Sequence, residues 1–358
     1  MRSSTGQHFV GLDHIRAIAA FMVVTWHFSH GGNGDPVPFN QAPEIGLLDE
    51  GHVGVSLFMV LSGYLFAKLI SNRSIHYRAF LWNRAIRLLP LLISVLIVVG
   101  IRDYRNDLIG YAKLVSSGLL LPTLPNGGWS ITTELHFYLI MPFLLLAAKK
   151  SKWAPLALVF LAICIRFAIV ASGNDIKYLA YGTLLGRFDQ FAIGIFFSCI
   201  KISGRGAACA LVALAAIYYV FDAAGGFFNG PDWPWLFLPT VEALAFGAMV
   251  SWYDVNPIKS SKMWLVQKAG EYSYSIYLLH FFLVFSAARF VDTQIMELTS
   301  VYVALPWALL FFVLMTGVGH FSYVLIERPA LRFRKPYMTD KSPPVPIPVD
   351  RSLAPEKI

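Results

Sequence analysis

The chain has 358 residues, of which 56% are hydrophobic and only 14% are charged, and its mean hydropathy is +0.59. This is more apolar surface than one soluble core can bury, so the composition excludes an ordinary soluble enzyme and indicates a membrane protein. The formal net charge of +8 comes from Lys and Arg residues dispersed along the chain, mostly at the ends of apolar segments, which favours membrane topology over binding to nucleic acid.

Apolar segments recur along most of the chain, and a helix that spans a bilayer needs roughly 20 mainly apolar residues. They predict an all-α, polytopic membrane bundle of about ten transmembrane helices. The predicted helices lie near 11–30, 51–71, 84–101, 129–148, 153–172, 184–200, 207–224, 235–252, 270–291 and 302–326. Asp13 and Arg16 interrupt the first one and no small-residue cleavage site follows, so we interpret it as a retained helix rather than a signal peptide.

The segment 107–122 is also apolar, but it is short and bounded by charges and Pro122, which favours a rim or re-entrant helix over a spanning one. With this assignment the predicted outer loops contain few of the 29 Lys and Arg residues, namely Arg102, Arg105, Lys113 and Lys177. Because cytoplasmic loops are rich in Lys and Arg, both termini are predicted to be cytoplasmic. We divide the chain into a transmembrane domain, 1–338, and a proline-rich cytoplasmic tail, 339–358, that is expected to be disordered.

The cysteines Cys164, Cys199 and Cys209 lie in or beside apolar runs, without the paired spacing of a disulfide or a zinc site. We therefore predict that they are core residues and that the chain has no metal site.

Ionisable side chains at membrane depth cost about 2.5–3.5 kcal/mol each, so they normally face a cavity and act there. In the first helix Arg16 and His27 are almost a whole number of turns apart, so they share one face, separated by about 16 Å along the axis. This places Arg16 in the cytoplasmic half and His27 near the outer surface. His27 is a candidate catalytic base, and the alternative is a histidine hydrogen-bonded inside the bundle.

The third helix begins with Arg84 and Arg87, one turn apart on one face at the cytoplasmic rim. Two guanidinium groups so placed suit a phosphorylated ligand. Anchoring of the helix end by positive charge explains them equally well from spacing alone.

In the fourth helix Trp129 marks the outer interface, and Glu134 lies at a depth comparable with that of His27. A carboxylate beside an imidazole fixes its tautomer and raises its basicity, so we hypothesise that Glu134 orients His27 as a general base.

Further polar groups lie in later helices. Arg187 and Asp189 fall at the outer rim of the sixth, where they form either an interfacial ion pair or a grip on an acceptor arriving from outside. His280 and Tyr277 fall at mid-membrane in the ninth, where structural hydrogen bonding is the favoured role. Glu327 ends the last helix and is placed to balance an inner arginine, although packing explains it as well.

These residues resemble the integral-membrane O-acyltransferases called acyltransferase family three, over about residues 9 to 332. The resemblance rests on GLDHIRAIAAFMVVTWH with its Arg-x10-His spacing, GVSLFMVLSGYLF, the Arg-x2-Arg of NRAIRLLP, WSITTELHFYL, RFDQFAIG, YSYSIYLLH and ERP, all in this order. Each motif alone is weak, but seven in order are specific.

The resemblance implies ten transmembrane helices in a bacterial inner membrane and transfer of an acyl group from cytosolic acyl-coenzyme A. It implies that His27 is catalytic, with Arg16 completing its motif, and that Arg84 and Arg87 bind the donor. The family usually has a Trp and an Asp where this chain has His52 and Ser56, so an acidic role there is expected to be absent. Many relatives carry a C-terminal soluble domain that completes transfer, so this chain is expected to work alone or with a separate periplasmic acyl-transfer protein.

The sequence thus predicts an enzyme with no permanently bound cofactor, which uses acyl-coenzyme A, most simply acetyl-coenzyme A, to acylate a glycan or glycolipid hydroxyl at the lipid bilayer. His27 acts either as a general base or as a transient acyl carrier, and Trp129, Arg187 and Asp189 face the acceptor. Arg16 lies too deep to stabilise the oxyanion and is expected to line the donor channel. The alternative function is a transporter or flippase in which the buried His and Arg bind substrate or relay protons.

Overall fold

A computed structural model describes residues 9–30, 41–70 and 73–340 of the chain, and these residues are predominantly α-helical. The helices are α1 (Val10–Ser29), α2 (Gly46–Asp49), α3 (Gly54–Ile70), α4 (Tyr77–Asp103), α5 (Leu108–Gly118), α6 (Trp129–Lys150), α7 (Ala154–Ala171), α8 (Ile176–Gly182), α9 (Leu184–Ser198), α10 (Gly204–Ala223), α11 (Gly226–Asn229), α12 (Leu238–Val255), α13 (Trp264–Glu271), α14 (Ser273–Leu279), α15 (Val284–Gln294), α16 (Val301–Ser322) and α17 (Arg328–Ala330). Single 3₁₀ turns at Pro43–Ile45, Gly51–Val53, Trp233–Leu236, Ser261–Met263, His280–Phe282 and Leu331–Phe333, and a π-turn at Tyr323–Glu327, complete the helical elements. Two short strands, β1 (Arg73–Ile75) and β2 (Met338–Asp340), form an antiparallel pair.

Every predicted helical segment is helical in the structure, and all but the eighth and the ninth are continuous over their described residues; the eighth begins in the 3₁₀ turn Trp233–Leu236, ahead of α12. The ninth is broken at His280–Phe282, where α14 and α15 meet at a bend of 57°. The segment 107–122 forms only α5, of 11 residues, which agrees with the predicted rim helix because it is too short to cross a bilayer.

Within the described residues, the segments long and apolar enough to span a membrane are Gly51–Leu69, Tyr77–Asp103, Trp129–Lys150, Ala154–Ala171, Gly204–Ala223 and Val301–Phe333. The bent pair of α14 and α15 would add one more. The multi-pass, all-α architecture is therefore confirmed, whereas the count of about ten spans and the cytoplasmic termini stay predictions. Of the other predicted spans, α9 has only 15 residues, and α1 carries charged side chains near its beginning.

The centre of the bundle is α3, which is largely enclosed by other helices, whereas α7 exposes most of its surface. The closest packing joins α3 to α9, because glycines on both helices let the two backbones approach. A Cβ at Gly63 would overlap the carbonyl oxygen of Phe191, and a Cβ at Gly194 would overlap that of Val60. This contact holds the middle of α3 directly against α9.

Two expectations are corrected outside the bundle core. All three cysteines are exposed, so their assignment as core residues is wrong: apolar runs in a membrane protein cover the lipid-facing side as well as the interior. The predicted disordered tail began at residue 339, but residues 339 and 340 belong to β2, which pairs with β1. The remainder of that tail, 341–358, lies outside the described residues.

Candidate active site

A deep cavity lies between α1, α3, α4, α6 and α14, and it is bounded on one side by the segment that follows the last helix. The empty space inside it, counted together with the open solvent at its mouth, is about 1280 Å³. Its polar and charged lining comprises Asp13, Arg16, Ser62, Arg84, Arg87, Ser130, Glu134, Tyr138, Ser273, Tyr274, Tyr277, Arg334 and Tyr337. Because Tyr138, Glu134 and Ser130 are successive turns of α6, the cavity extends about 12 Å along that helix.

We call the end of this cavity that holds the arginines the inner end, and the end at Ser130 and Tyr277 the outer end. The structure brings Arg16 of α1 together with Arg84 and Arg87 of α4 at the inner end. These residues were selected from two separate sequence motifs, and they line one cavity as the predicted donor channel requires.

Arg84 is held by aromatic rings rather than by an acid. Its guanidinium carbon lies 5.0 Å from the ring centre of Phe66, 5.6 Å from that of Phe80 and 5.9 Å from that of Tyr138. Its Nε is buried and has no hydrogen-bond partner in the described part of the chain. Stacking on rings leaves the donor hydrogens of a guanidinium available for a ligand.

The other inner arginines lie near acidic groups. Arg16 Nη1 donates to Asp13 Oδ1 at 2.6 Å, one turn away on α1. Arg87 lies close enough to Glu327 for their charges to interact, and Glu327 also accepts a hydrogen bond from Ser275 Oγ. Glu327 is almost fully buried, so it is placed beside an inner arginine in the way the sequence suggested.

Arg334 lines the same inner end, and sequence reasoning did not single it out. It lies beyond α17, where a basic residue is accounted for by the preference of cytoplasmic segments for positive charge. Burial, together with the charges of Arg87 and Arg84, lowers the pKa of Arg334 to about 10. Arg334 is therefore held close to other cations. Their mutual repulsion costs free energy unless an anion binds in the cavity.

The predicted pairing of Glu134 with His27 is wrong. Glu134 lies one turn before Tyr138 on α6, towards the outer end of the cavity, and accepts a hydrogen bond from its hydroxyl, and it makes no hydrogen bond to His27 in the described chain. Equal predicted depth does not fix the direction in which a helix faces. Glu134 instead forms part of the cavity wall, midway between its inner and outer ends.

His27 lies near the outer end of α1, half-buried among aromatic rings. Its Nδ1 is 2.8 Å from the carbonyl oxygen of Val23 and 3.3 Å from Nε2 of His280. A carbonyl oxygen can only accept, so Nδ1 carries the hydrogen and Nε2 carries the free lone pair of a neutral imidazole. That Nε2 makes no hydrogen bond to any described residue, so it is available as a base.

His280, and not Glu134, is the ionisable side chain that contacts the imidazole of His27. It lies in the break between α14 and α15 and is 1% exposed. Its Nδ1 is 2.6 Å from the carbonyl oxygen of Tyr277, so Nδ1 donates and Nε2 presents its lone pair towards Nδ1 of His27. The break in the ninth helix is what turns this ring towards α1.

Tyr277 joins the cavity to the histidine pair. Its hydroxyl accepts from Ser130 Oγ at 2.7 Å and donates to the carbonyl oxygen of Gly127 at 3.1 Å. Its ring centre lies 5.9 Å from that of His280. The cavity lining includes Tyr277 but not His27, so the imidazole of His27 lies outside this cavity, in contact with His280.

The acceptor-side assignments of Arg187 and Asp189 need correction, because both side chains are buried in the protein interior. They do not pair with each other: Asp189 forms an ion pair with Arg166 of α7 and also accepts from Thr240. A fully buried carboxylate that is already paired cannot also contact an acceptor. Asp189 therefore has a structural role.

Arg187 fixes the outer part of the bundle from within. It donates to Ser56 Oγ at 2.8 Å, and its guanidinium carbon lies 4.7 Å from the ring centre of Tyr181 and 5.7 Å from that of Trp129. Trp129 thus packs on a buried cation, instead of only marking the membrane interface.

The acid that the sequence appeared to lack beside Ser56 is supplied by Glu242 of α12. Ser56 Oγ donates to Glu242 Oε2, and the Tyr218 hydroxyl donates to Glu242 Oε1 at 2.6 Å. An acidic group is therefore present beside Ser56, although α3 itself does not supply it. A carboxylate from another helix reaches the same place, which the sequence of α3 alone could not reveal.

Sequence reasoning also missed a cluster of acids, histidines and aromatic rings above His27, which we call the outer cluster: Trp26, His30, Asp49, Glu50, His52, Phe227 and Phe228. Trp26 lies with its ring centre 4.8 Å from that of His27 and 5.6 Å from that of His52. Glu50 Oε2 and His52 Nδ1 are 3.1 Å apart, although not aligned as a hydrogen bond. The one available signal was His52, at a position where the resembling family has a Trp.

Two carboxyl groups of the outer cluster are held away from water. Burial raises the pKa of Glu50 to about 7, and burial together with the Glu50 charge raises that of Asp49 to about 6. Asp49 Oδ1 lies 3.3 Å from His30 Nε2. In the described part of the chain these groups are not arranged as a set of three or more that could hold a metal ion.

The protein is a multi-helix membrane protein whose cavity has arginines at its inner end. An imidazole that can act as a base lies beyond the outer end. These two features are typical of a membrane transferase. The chain belongs to the acyltransferase family whose domain model, described as "Acyltransferase domain", matches residues 9–324. No solved structure matches the chain.

Relatives in this family share limited identity with the chain. It is 27% identical over 214 residues to the peptidoglycan O-acetyltransferase OatA of Listeria monocytogenes, covering 50% of this chain and 32% of that protein. It is 22% identical over 334 residues to the acyltransferase MdmB of Streptomyces mycarofaciens, covering 82% and 85%. The chain thus spans about a third of the length of OatA but most of MdmB. Family membership and the O-acetyltransferase relatives support O-acylation at a membrane.

Proposed function

We propose that the protein is a membrane-bound O-acyltransferase that moves an acyl group, most simply acetyl, from cytosolic acyl-coenzyme A to a hydroxyl of a cell-surface or lipid-linked glycan. The observation that carries the proposal is the single cavity that runs from Arg84 and Arg87 to Tyr277, next to the His280–His27 pair. An extended donor with phosphates at one end and a thioester at the other matches this distribution of charge along the cavity.

The proposed orientation has the inner end of the cavity facing the cytoplasm, with both termini on that side and about ten spans of the inner membrane. Arg84 and Arg87 then bind donor phosphates, and Arg16 lines the channel beside them. The arm that carries the thioester runs past Glu134 towards Ser130 and Tyr277. Only the acyl group has to cross the remaining distance.

In the proposed reaction the acceptor hydroxyl gives its proton to Nε2 of His27 while its oxygen bonds to the thioester carbon. The carbon–sulfur bond then breaks, and the thiolate takes the proton from His27. The imidazolium that forms on the way carries a hydrogen on Nδ1, which faces the carbonyl of Val23 and the lone pair of His280. Both acceptors stabilise the positive charge at the moment it develops. Transient acylation of His27 Nε2 would use the same geometry.

The proposed acceptor approaches from the outer cluster. Trp26 and Phe228 are stacked at 5.8 Å between ring centres, and Phe228 is 47% exposed. Aromatic faces combined with carboxylates suit a sugar, which presents apolar C–H faces and hydroxyl groups. The acceptor class comes from the name of the OatA relative, which is a peptidoglycan O-acetyltransferase.

The test is to reconstitute the purified protein in lipid nanodiscs with radiolabelled acetyl-coenzyme A and a soluble glycan acceptor. Label should pass to the glycan, and His27→Ala should abolish transfer at unchanged folding. In cells, mass spectrometry of surface glycans should show the loss of one acyl mass in the same variant. If the protein instead moved solute across vesicles without acyl-coenzyme A, and lost that movement in His27→Ala, it would be a transporter.

A further inference from the structure

The segment after the last helix folds back over the inner end of the cavity. Strand β2 pairs with β1, with Met338 opposite Ile75, and the backbone N–H of His76 donates to the carbonyl of Tyr337 at 2.9 Å. Tyr337 is 1% exposed and its ring packs on Phe80 at the beginning of α4. We call residues 334–340 the strap. It is part of the folded domain.

Asn83 fixes the strap beside the donor arginines. Its Nδ2 donates to the carbonyl of Lys335 at 2.6 Å, and its Oδ1 accepts from the N–H of Lys335 at 2.8 Å. One residue earlier, Trp82 Nε1 donates to the carbonyl of Phe333 at 3.0 Å. The backbone on both sides of Arg334 is therefore bound to α4, and the Arg334 side chain has a defined starting point.

The backbone on either side of Arg334 is attached to α4 at Trp82 and Asn83, which precede Arg84 and Arg87 in that helix. Arg334 therefore reaches the cavity from the side on which α4 begins, and its charge interacts with those of Arg87 and Arg84. Neither Arg334 nor Arg84 forms an ion pair with an acid in the described part of the chain, and Nε of each is buried without a partner. These like charges repel each other in the half-buried cavity, and a bound anion would offset that repulsion.

We propose that Arg334 binds the ribose 3′-phosphate of the coenzyme A donor, so that the strap is part of the donor site. The inference rests on the proposed function. Coenzyme A carries a pyrophosphate on its arm side and a separate phosphate on the ribose, and the adenosine end enters the cavity last. Arg84 and Arg87, further along α4, then face the pyrophosphate, and Arg334, which comes from the side on which α4 begins, meets the ribose phosphate.

The experiment measures binding of coenzyme A and of 3′-dephospho-coenzyme A to the protein in nanodiscs by calorimetry. The wild type should bind coenzyme A more tightly. Arg334→Gln should weaken coenzyme A roughly 10- to 100-fold, the loss of one charge-assisted contact, and should change dephospho-coenzyme A by less than about 2-fold. Arg334→Lys, which keeps the charge but loses the planar fork, should show a smaller loss of the same preference.

Arg332→Gln is the matched control, since Arg332 is an exposed arginine of the same segment, and it should bind both ligands as the wild type does. Without ligand, Arg334→Gln should unfold at a temperature no lower than the wild type, because it relieves repulsion among the arginines. Arg334→Lys tests the same preference should Arg334→Gln fail to fold.

Equal weakening of both ligands by Arg334→Gln, or no weakening of either, would overturn the assignment of Arg334. A wild type that binds both ligands equally well would overturn it too. A wild type that binds neither ligand would overturn the proposed donor class and this inference together, which separates that failure from an error confined to Arg334.

Discussion

Nε2 of His280 lies 3.3 Å from Nδ1 of His27, so two imidazoles that are 253 positions apart in the chain contact each other beside the outer end of the cavity. Each ring donates its Nδ1 hydrogen towards a backbone carbonyl one turn earlier, Val23 for His27 and Tyr277 for His280. The two backbone contacts set both tautomers. Each neutral ring keeps one lone pair, on Nε2. That of His280 faces Nδ1 of His27, whereas that of His27 accepts no hydrogen bond from the other ring.

His280 should therefore support turnover without contacting the donor. His280→Phe keeps the ring volume but removes the lone pair that faces His27, so kcat should fall roughly 10- to 100-fold, the range for one lost contact to a developing charge. KM for acetyl-coenzyme A should stay within about 2-fold, because the inner end of the cavity is untouched. Steady-state kinetics in nanodiscs measures both constants.

The matched control for His280 is His320→Phe, since His320 is bonded to the Tyr272 hydroxyl at 2.9 Å and does not line the cavity. It should leave both constants unchanged. A donor KM that rose with the loss of kcat in His280→Phe would mean that the cavity had collapsed, and the proposed support of His27 would be lost.

The outer cluster should make stability depend on pH. Burial raises the pKa of Glu50 to about 7, although the N–H of Phe227 and the charges of His30 and Lys177 oppose the shift. A carboxyl group whose pKa is higher in the folded state keeps its proton over a pH range in which the same group in the unfolded chain has lost it. Stability therefore falls as pH rises from the ordinary pKa of Glu towards about 7. Asp49, with its pKa raised to about 6, acts in the same direction over a lower range.

Thermal unfolding followed between pH 4.5 and 8 tests this dependence. The unfolding temperature of the wild type should fall as pH rises, and Glu50→Gln, which mimics the protonated carboxyl at every pH, should show a smaller fall. Glu297→Gln removes an exposed carboxyl and should follow the wild type. A Glu50→Gln profile parallel to that of the wild type would show that Glu50 does not titrate in this range.

The strap should loosen when its attachment to α4 is cut. Asn83→Ala removes both hydrogen bonds to the backbone of Lys335, at a cost of roughly 1–3 kcal/mol in local stability for the buried groups left unpaired. Amide hydrogen exchange of the peptide that covers 334–340 should become faster, and KM for acetyl-coenzyme A should rise several-fold. Asn256→Ala, at an exposed asparagine that bonds to its own helix, is the control. Unchanged exchange in Asn83→Ala would refute the strap as a separately held segment.

The helices were predictable from the sequence because apolar length and its breaks are local properties. Arg84 and Arg87 were predictable as neighbours for the same reason, since one helix fixes their spacing. The break at His280 was not, because the apolar run there contains no Gly or Pro to mark it. Its consequence, the contact with His27, was therefore missed as well.

Pairing between helices is where sequence reasoning failed. Glu134 was assigned to His27 from equal depth, but depth leaves the rotation of a helix about its axis undetermined, and Glu134 faces Tyr138. Arg187 and Asp189 were assigned to the outer surface, although other helices cover both of them. Arg334 was hidden for a different reason: anchoring by positive charge already explained it, so no unexplained feature drew attention to it.

The acid beside Ser56 gives a test in which a double substitution should rescue two single ones. Ser56→Asp introduces a second carboxylate next to Glu242, and both positions are fully buried with Arg187 as the neighbouring cation. Glu242→Gln leaves that arginine without its nearest acid. Each single change should destabilise the protein by about 3–5 kcal/mol, because each leaves an uncompensated buried charge. Ser56→Asp combined with Glu242→Gln restores one acid beside Arg187, so the double variant should unfold at a higher temperature than either single variant. Losses of stability that simply add in the double variant would contradict this coupling between the two positions.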